Sequence, residues 1–266
     1  ELEEAYPDGF ARSLADISAR GSIGPISFKD LSREQANIHR EALKNWIDID
    51  KGAVLDEGVV RIATRSVLSL IGFNQVRSKL QGQPDQAQIS LSVSTEPVAD
   101  RALCPVPAFG SMAVQFASSA NANYRVLWIR EDTPVEDLID AVGETLGGQP
   151  TFVFYTKIMS VDARRRLAQL SRNKGREFLL VDQALLLYLC SRPGARMRTM
   201  FSLTLPFTFI EPYVTTAGVV PPEVFYGRLS ERRNIINRLG TNFIYGGRQL
   251  GKTALLRHAE AYFHSP

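Results

Sequence analysis

Cysteine and histidine are scarce: the 266-residue chain has two cysteines, Cys104 and Cys190, and three histidines, His39, His258 and His264. That inventory cannot assemble the usual four-ligand structural zinc site, and both cysteines sit among apolar neighbours, so reduced core thiols are expected. No apolar run is long enough to cross a bilayer. The longest candidate, Phe178 to Cys190, is interrupted by Asp182 and Gln183, and no membrane partner is expected. The tripeptides E-x-K and D-x-K occur nowhere, which removes the restriction-nuclease signature, although Glu131, Asp132 and Lys157 fall near expected strand ends where they could converge. The absence of G-x-S-x-G likewise removes the hydrolase nucleophile elbow. The chain opens on Glu1 with no leader and has no internal repeat or low-complexity segment, so it reads as a piece of a larger cytoplasmic protein.

What is present is a hydrophobic content of 44%, sufficient for one large core or two modest ones. The formal net charge of +3 conceals an asymmetry. Residues 1–60 carry 7 basic and 12 acidic side chains, whereas residues 157–198 carry 10 and 3. Within that basic stretch Arg164, Arg165, Arg166, Arg172 and Lys174 share one expected helix. They are the candidates for contacting a nucleic-acid backbone, with a solvated face or an internal acidic contact as the plainer reading.

The spacing predicts a mostly helical region over residues 1–95. A short helix falls near Phe10–Ala19. A second runs from Ser32, capped in a box with Gln35, to about Ile47. After a turn at residues 47–52 a third covers about Asp56–Ile71, stopped by Gly72. Residues 78–98 read as a loop holding one strand, Gln88–Val93. Residues 96–205 alternate strand and helix: Tyr124–Ile129, a helix opened by a Thr133/Glu136 capping box, Thr151–Ile158, a helix to Lys174, Phe178–Val181, Gln183–Cys190, and Met200–Leu205 as a closing strand. The fold class expected is α/β, a parallel sheet in three layers. Asp182 reads as a strand-end residue capping the next helix. Residues 206–224, with Pro206, Pro212, Pro221 and Pro222, form a linker.

The most specific pattern lies at 225–266. Phe243-Ile244-Tyr245 reads as a strand leading into Gly246-Gly247-Arg248-Gln249-Leu250-Gly251-Lys252-Thr253, and an apolar-periodic helix follows. This is G-x-x-x-x-G-K-T in the setting a phosphate-binding loop requires. Backbone N–H groups and the helix N-terminus would cradle phosphate, Lys252 would reach the outer phosphates, and the Thr253 hydroxyl would ligate Mg²⁺.

Together with Phe225-Tyr226-Gly227-Arg228-x-x-Glu231 just upstream, the segment resembles the opening of AAA+ and STAND-type P-loop ATPases. The resemblance covers about residues 221–266 and implies ATP and Mg²⁺ as ligands. It places Phe225, Tyr226 and Gly227 around the base, with Arg228 and Glu231 bracing the box. It further implies a nucleotide-gated switch in a multidomain protein able to form homo-oligomers through this module, in a setting such as prokaryotic anti-phage defence. The alternatives are a DNA-associated motor or loader, or an ATP-binding scaffold that does not hydrolyse. A Walker B strand downstream of the loop is not part of this sequence. Phe178-Leu179-Leu180-Val181-Asp182 mimics one upstream, but Gln183 stands where a catalytic glutamate usually follows.

Overall fold

The structure is a computed structural model, and it describes residues 11–23, 25–52, 55–82, 87–95, 123–143, 150–174, 176, 178–194, 196–204, 228–237, 243–246 and 251–264. The chain divides into two compact units. One comprises Glu1–Val98 with Ala120–Ile210, and the other Ala99–Ser119 with Glu211–Pro266.

The first unit begins with Ala11–Ala19 (α1) and a two-stranded antiparallel pair, Ser22–Ile23 (β1) and Ile26–Ser27 (β2). Arg33–Lys51 (α2) starts where the capping box predicts: the Ser32 hydroxyl accepts from the Gln35 N–H, and the Gln35 carboxamide accepts from the Ser32 N–H. It does not stop near Ile47. Ile49 is buried on the same face as Trp46, and that burial carries the helix through the Asp48/Asp50 stretch that reads locally as a turn. Glu57–Ile71 (α3) is capped by Asp56, which accepts from Val59 N–H, and ends at Gly72, whose φ of 128° is glycine territory.

The sheet is mixed rather than parallel. Its order is Arg77–Gln81 (β3), Gln88–Ser94 (β4), Asn123–Ile129 (β5), Thr151–Tyr155 (β6) and Phe178–Asp182 (β7). The β3–β4 and β4–β5 pairs are antiparallel, and β5–β6–β7 are parallel. The physical reason is legible in the strands. The six residues between β3 and β4 are too few for a crossover, so the two pair antiparallel. Their alternating burial marks a half-covered antiparallel edge, whereas β6 and β7 are buried at every position, as strands covered on both faces must be. Residues 77–94, expected to belong to a helical region with one strand, therefore build two-fifths of the same sheet.

Val135–Val142 (α4) and Val161–Lys174 (α5) cover one face, where Leu138, Ile139, Val142 and Leu167 pack on Leu127, Ile129, Val153, Tyr155, Phe178 and Leu180. The opposite face carries an aromatic cluster joined to α2 and to Phe73 just after α3. Ring centroids lie 4.8 Å apart for Trp46–Trp128, 4.9 Å for Trp128–Phe154 and 5.3 Å for Phe73–Tyr124. Pairs of this kind contribute about 0.5–1.5 kcal/mol each beyond their area. The Trp128 indole N–H is satisfied by the buried Thr64 hydroxyl at 2.9 Å. Three layers are thus as expected.

Two local expectations fail. The Thr133 hydroxyl donates back to the Glu131 carbonyl instead of capping, and Pro134 is the N-cap of α4 with no side-chain bond. Met200–Leu205 is not a closing strand. After Gln183–Cys190 (α6) the chain forms the helix Arg196–Thr204 (α7), whose Met197, Met200, Phe201 and Thr204 are buried at helical spacing.

Candidate functional site

In the second unit the described residues are the two ends of the G-x-x-x-x-G-K-T segment and the helices that precede and follow it. Leu229–Ile236 (α8) follows Arg228, which sits in the left-handed region at φ 50°. Lys252–His264 (α9) begins immediately after Gly251, at φ 72°, and its first helical turn closes with Leu255 N–H donating to the Gly251 carbonyl at 3.0 Å. Leu255 and Ala259, four residues apart, are buried and, among the described side chains of α9, anchor it. Lys252 and Thr253 are therefore the first two residues of a helix, where orphan N–H groups and the positive end of the helix dipole lie. The Lys252 ammonium donates to the Gly246 carbonyl at 2.7 Å, spanning the loop from its far end to its start. Gly246 itself has φ 150°, again a glycine conformation.

Beside the loop, a cleft of about 280 Å³ is lined by Arg228, Glu231, Ile235, Ile244, Tyr245 and Leu255. The structure thus brings Arg228 and Glu231 to the segment that leads into the loop. The Glu231 carboxyl is held below its usual range, first by the Ser230 hydroxyl at 2.8 Å, then by its own backbone N–H and the Arg228 charge. Phe225, Tyr226, Gly227, Gly247, Arg248, Gln249 and Leu250 lie outside the described residues. Phe243–Gly246 is not a strand, contrary to the sequence pattern. Phe243 and Tyr245 are 86% and 92% exposed. A strand exists only through a paired neighbour, and among the described residues nothing pairs with this one.

No family model, curated protein or solved structure matches this chain. The assignment of these residues therefore stands on their own geometry.

The basic helix α5 is largely neutralised within its unit. Arg166 pairs with Glu136 at 3.1 Å and Lys174 with Asp140, both acids of α4. Arg165 pairs with Asp162 one turn earlier at 3.2 Å, and Arg172 is exposed. Arg164 contacts Asp182, which is fully buried at the end of β7. The Asp182 carboxylate also accepts from the N–H groups of Leu185 at 2.9 Å and Met159 at 3.0 Å. Asp182 is therefore the N-cap of α6, as its position in the sequence implied, and its oxygens are spent inside the unit rather than presented to a metal.

Glu131, Asp132 and Lys157 do converge. They line a cleft of about 440 Å³ at the carboxyl ends of β5 and β6, together with Asp50 and Arg130. Sequence reasoning missed the last two because Asp50 comes from α2, 107 residues before Lys157. Lys157 donates to Asp50 at 2.6 Å, and Arg130 donates to the carbonyls of Ile49 and Gly52 at the end of α2. The Tyr155 hydroxyl donates to Asp132 at 2.8 Å, and burial, with that bond, pushes its pKa up to about 12. The polar groups of this cleft chiefly hold α2 to the sheet. Among the described residues no group of three or more His, Cys, Asp or Glu side chains could hold a metal ion.

Proposed function

We propose that the chain carries the ATP-binding element of a P-loop ATPase of the AAA+/STAND kind, acting as a nucleotide-gated switch. The observation that supports it most is the placement of Lys252. It opens α9 directly after a left-handed glycine, and its amine lies against the first residue of the loop. In that position the Lys252 ammonium would hold a triphosphate's outer oxygens, and the helix N-terminus would supply further N–H donors. The described residues fit the ligand in kind: a cation, a hydroxyl at Thr253, and a helix start free of acidic side chains in its first turn. The Thr253 hydroxyl would hold the Mg²⁺ that accompanies the nucleotide and offsets phosphate charge. The neighbouring cleft at Arg228, Glu231 and Tyr245 supplies a concave surface for the base. The reading of α5 as the DNA face of a motor is weakened by the ion pairs of Arg164, Arg166 and Lys174, so the switch is preferred. A setting in anti-phage defence rests on the resemblance alone.

Titration calorimetry with MgATP tests this directly. The chain should bind, and Lys252→Ala should abolish the heat signal and the nucleotide-dependent rise in melting temperature. The apo melting temperature should be nearly unchanged, because the Lys252 ammonium bonds a backbone carbonyl at an exposed site. Phosphate release should be slow: an arginine finger alone is worth about 10³–10⁵ in rate, and neither a finger nor a catalytic acid is among the residues assigned here. Equal affinity in the parent and Lys252→Ala would refute the proposal.

A further inference from the structure

The open face of the β3–β4 hairpin is unlike the rest of the first unit. The ladder fixes which side chains share it: Arg77 lies opposite Ser94 and then Asn123, Lys79 opposite Ser92 and then Arg125, and Gln81 opposite Ser90. These residues lie on the same side as Leu127 and Ile129, where, among the described residues, α4 and α5 pack on β5, β6 and β7. The opposite side of the hairpin carries the buried Ile89, Leu91 and Val93. The open side therefore holds three cations, hydroxyls and amides, and none of the eight residues is acidic or aromatic.

Its cations differ from those of α5. Among the described residues Arg77 and Lys79 are exposed and form no ion pair, whereas four of the five α5 cations, Arg164, Arg165, Arg166 and Lys174, are paired and Arg172 stands alone. Arg125 is half-buried, bonded to Ser90 and to the carbonyls ending α4, so it lends field rather than contacts. Gln81 bridges Ser90 and Ser92, which keeps the polar ladder ordered across the strands.

We propose that this face docks the sugar-phosphate backbone of a nucleic-acid duplex without reading its sequence. Arg, Lys, Ser, Asn and Gln are the residue types that contact phosphate, and here they occur together with no carboxylate among the eight. At a rise of about 3.3 Å per residue, Arg77 and Lys79 stand about 7 Å apart on one strand and address neighbouring phosphates. The absence of aromatic side chains from the face removes base stacking, on which single-strand platforms depend, and so favours a duplex. This inference is independent of the nucleotide site, which lies in the other unit.

Lys and Arg on an edge strand also discourage edge-to-edge pairing, so the test separates the two roles. Fluorescence anisotropy of the whole chain with two short DNA duplexes of unrelated sequence, from about 50 to 200 mM salt, should show equal affinities and a steep salt slope. The double variant Arg77→Gln/Lys79→Gln should lower the slope by about 1.8, at about 0.9 per lost phosphate contact. Arg77→Glu/Lys79→Glu keeps the edge charged and monomeric, and should bind at least about tenfold more weakly at the lowest salt. Arg166→Gln/Lys174→Gln, on α5, should change neither quantity. The proposal is overturned if the parent chain does not bind at low salt, if the charge-reversed variant binds as well as the parent, or if the α5 variant carries the loss.

Discussion

Replacing Asp182 by Asn tests how the first unit is held together. The carboxylate is fully buried, carries the charge that balances Arg164, caps α6 through Leu185 N–H, and accepts from Met159 N–H. Asparagine preserves volume and one carbonyl oxygen. It removes the charge and one acceptor, and turns an amino group either toward both Arg164 and the Met159 N–H, which share Oδ2, or toward the Leu185 N–H at Oδ1. Breaking a buried pair by removing one partner costs about 3–5 kcal/mol, because the other charge is left uncompensated. Arg164 is 17% exposed, so it recovers some hydration, and the lower end, about 3 kcal/mol, is expected. The double variant Asp182→Asn/Arg164→Met should recover part of that loss, since it also removes the stranded charge.

Urea unfolding followed by tryptophan fluorescence is the appropriate assay. Trp46 and Trp128 are both fully buried in the first unit and lie in contact. The signal therefore reports that unit and not the second one, whose separate unfolding would otherwise blur a two-state analysis. A shift in midpoint at constant slope gives the energy. Should Asp182→Asn cost less than about 1 kcal/mol, or the double variant cost the sum of the singles, the pair would not be the coupled element described. MgATP affinity should be unaffected, because the three partners of Asp182 all lie within the first unit. A lost affinity would mean that the upstream acidic strand serves the nucleotide after all.

The buried His39 ring, whose Nδ1 donates to the Cys190 carbonyl at 2.7 Å, should make the first unit acid-sensitive. Burial, with the Arg196 charge adding to it, holds its pKa below the ordinary 6.5, so the unfolded chain takes the proton first. Stability should fall as pH drops below about 6.5, by up to about 1.4 kcal/mol per pH unit, until the folded pKa is reached; His39→Gln should flatten that limb in urea titrations at stepped pH. Arg130→Ala should cost about 1.5–3 kcal/mol by stripping charge-assisted bonds from the Ile49 and Gly52 carbonyls, and should speed amide exchange in the last turn of α2. Arg130→Lys should restore little of it, since an ammonium cannot fork to both carbonyls.

The sequence disclosed what depends on near neighbours. The Ser32/Gln35 box, the Asp182 cap and the glycine stop at Gly72 are decided within four residues, and these form as read. It was misleading where a distant partner decides. Asp48 and Asp50 look like a turn, yet Ile49 is buried and Arg130 fastens the helix end from across the sheet. Met200–Leu205 has strand-like residues, but its burial follows a helical period. The mixed sheet was hidden because Arg77–Gln81 alternates polar with half-buried positions and acquires its strand identity only by pairing with β4.

The candidate sites divide along the same line. The proposed phosphate loop is legible because its residues are contiguous: a glycine at φ above zero, a lysine one residue later, and a helix that starts there. In the cleft at Asp50, Arg130 and Lys157 the strand ends announce Glu131, Asp132 and Lys157, whereas Asp50 arrives from α2, far away in the chain, and no local pattern announces it. The basic helix shows the converse error. Five cations on one helix resemble a docking face until four of them are seen to be paired: Arg166 and Lys174 with Glu136 and Asp140 of α4, about 30 residues earlier, Arg164 with Asp182 and Arg165 with Asp162. Charge composition locates cations, and only the fold reveals which of them are already paired. For that reason the hairpin face at Arg77 and Lys79, modest in sequence, is the stronger candidate for an anionic partner.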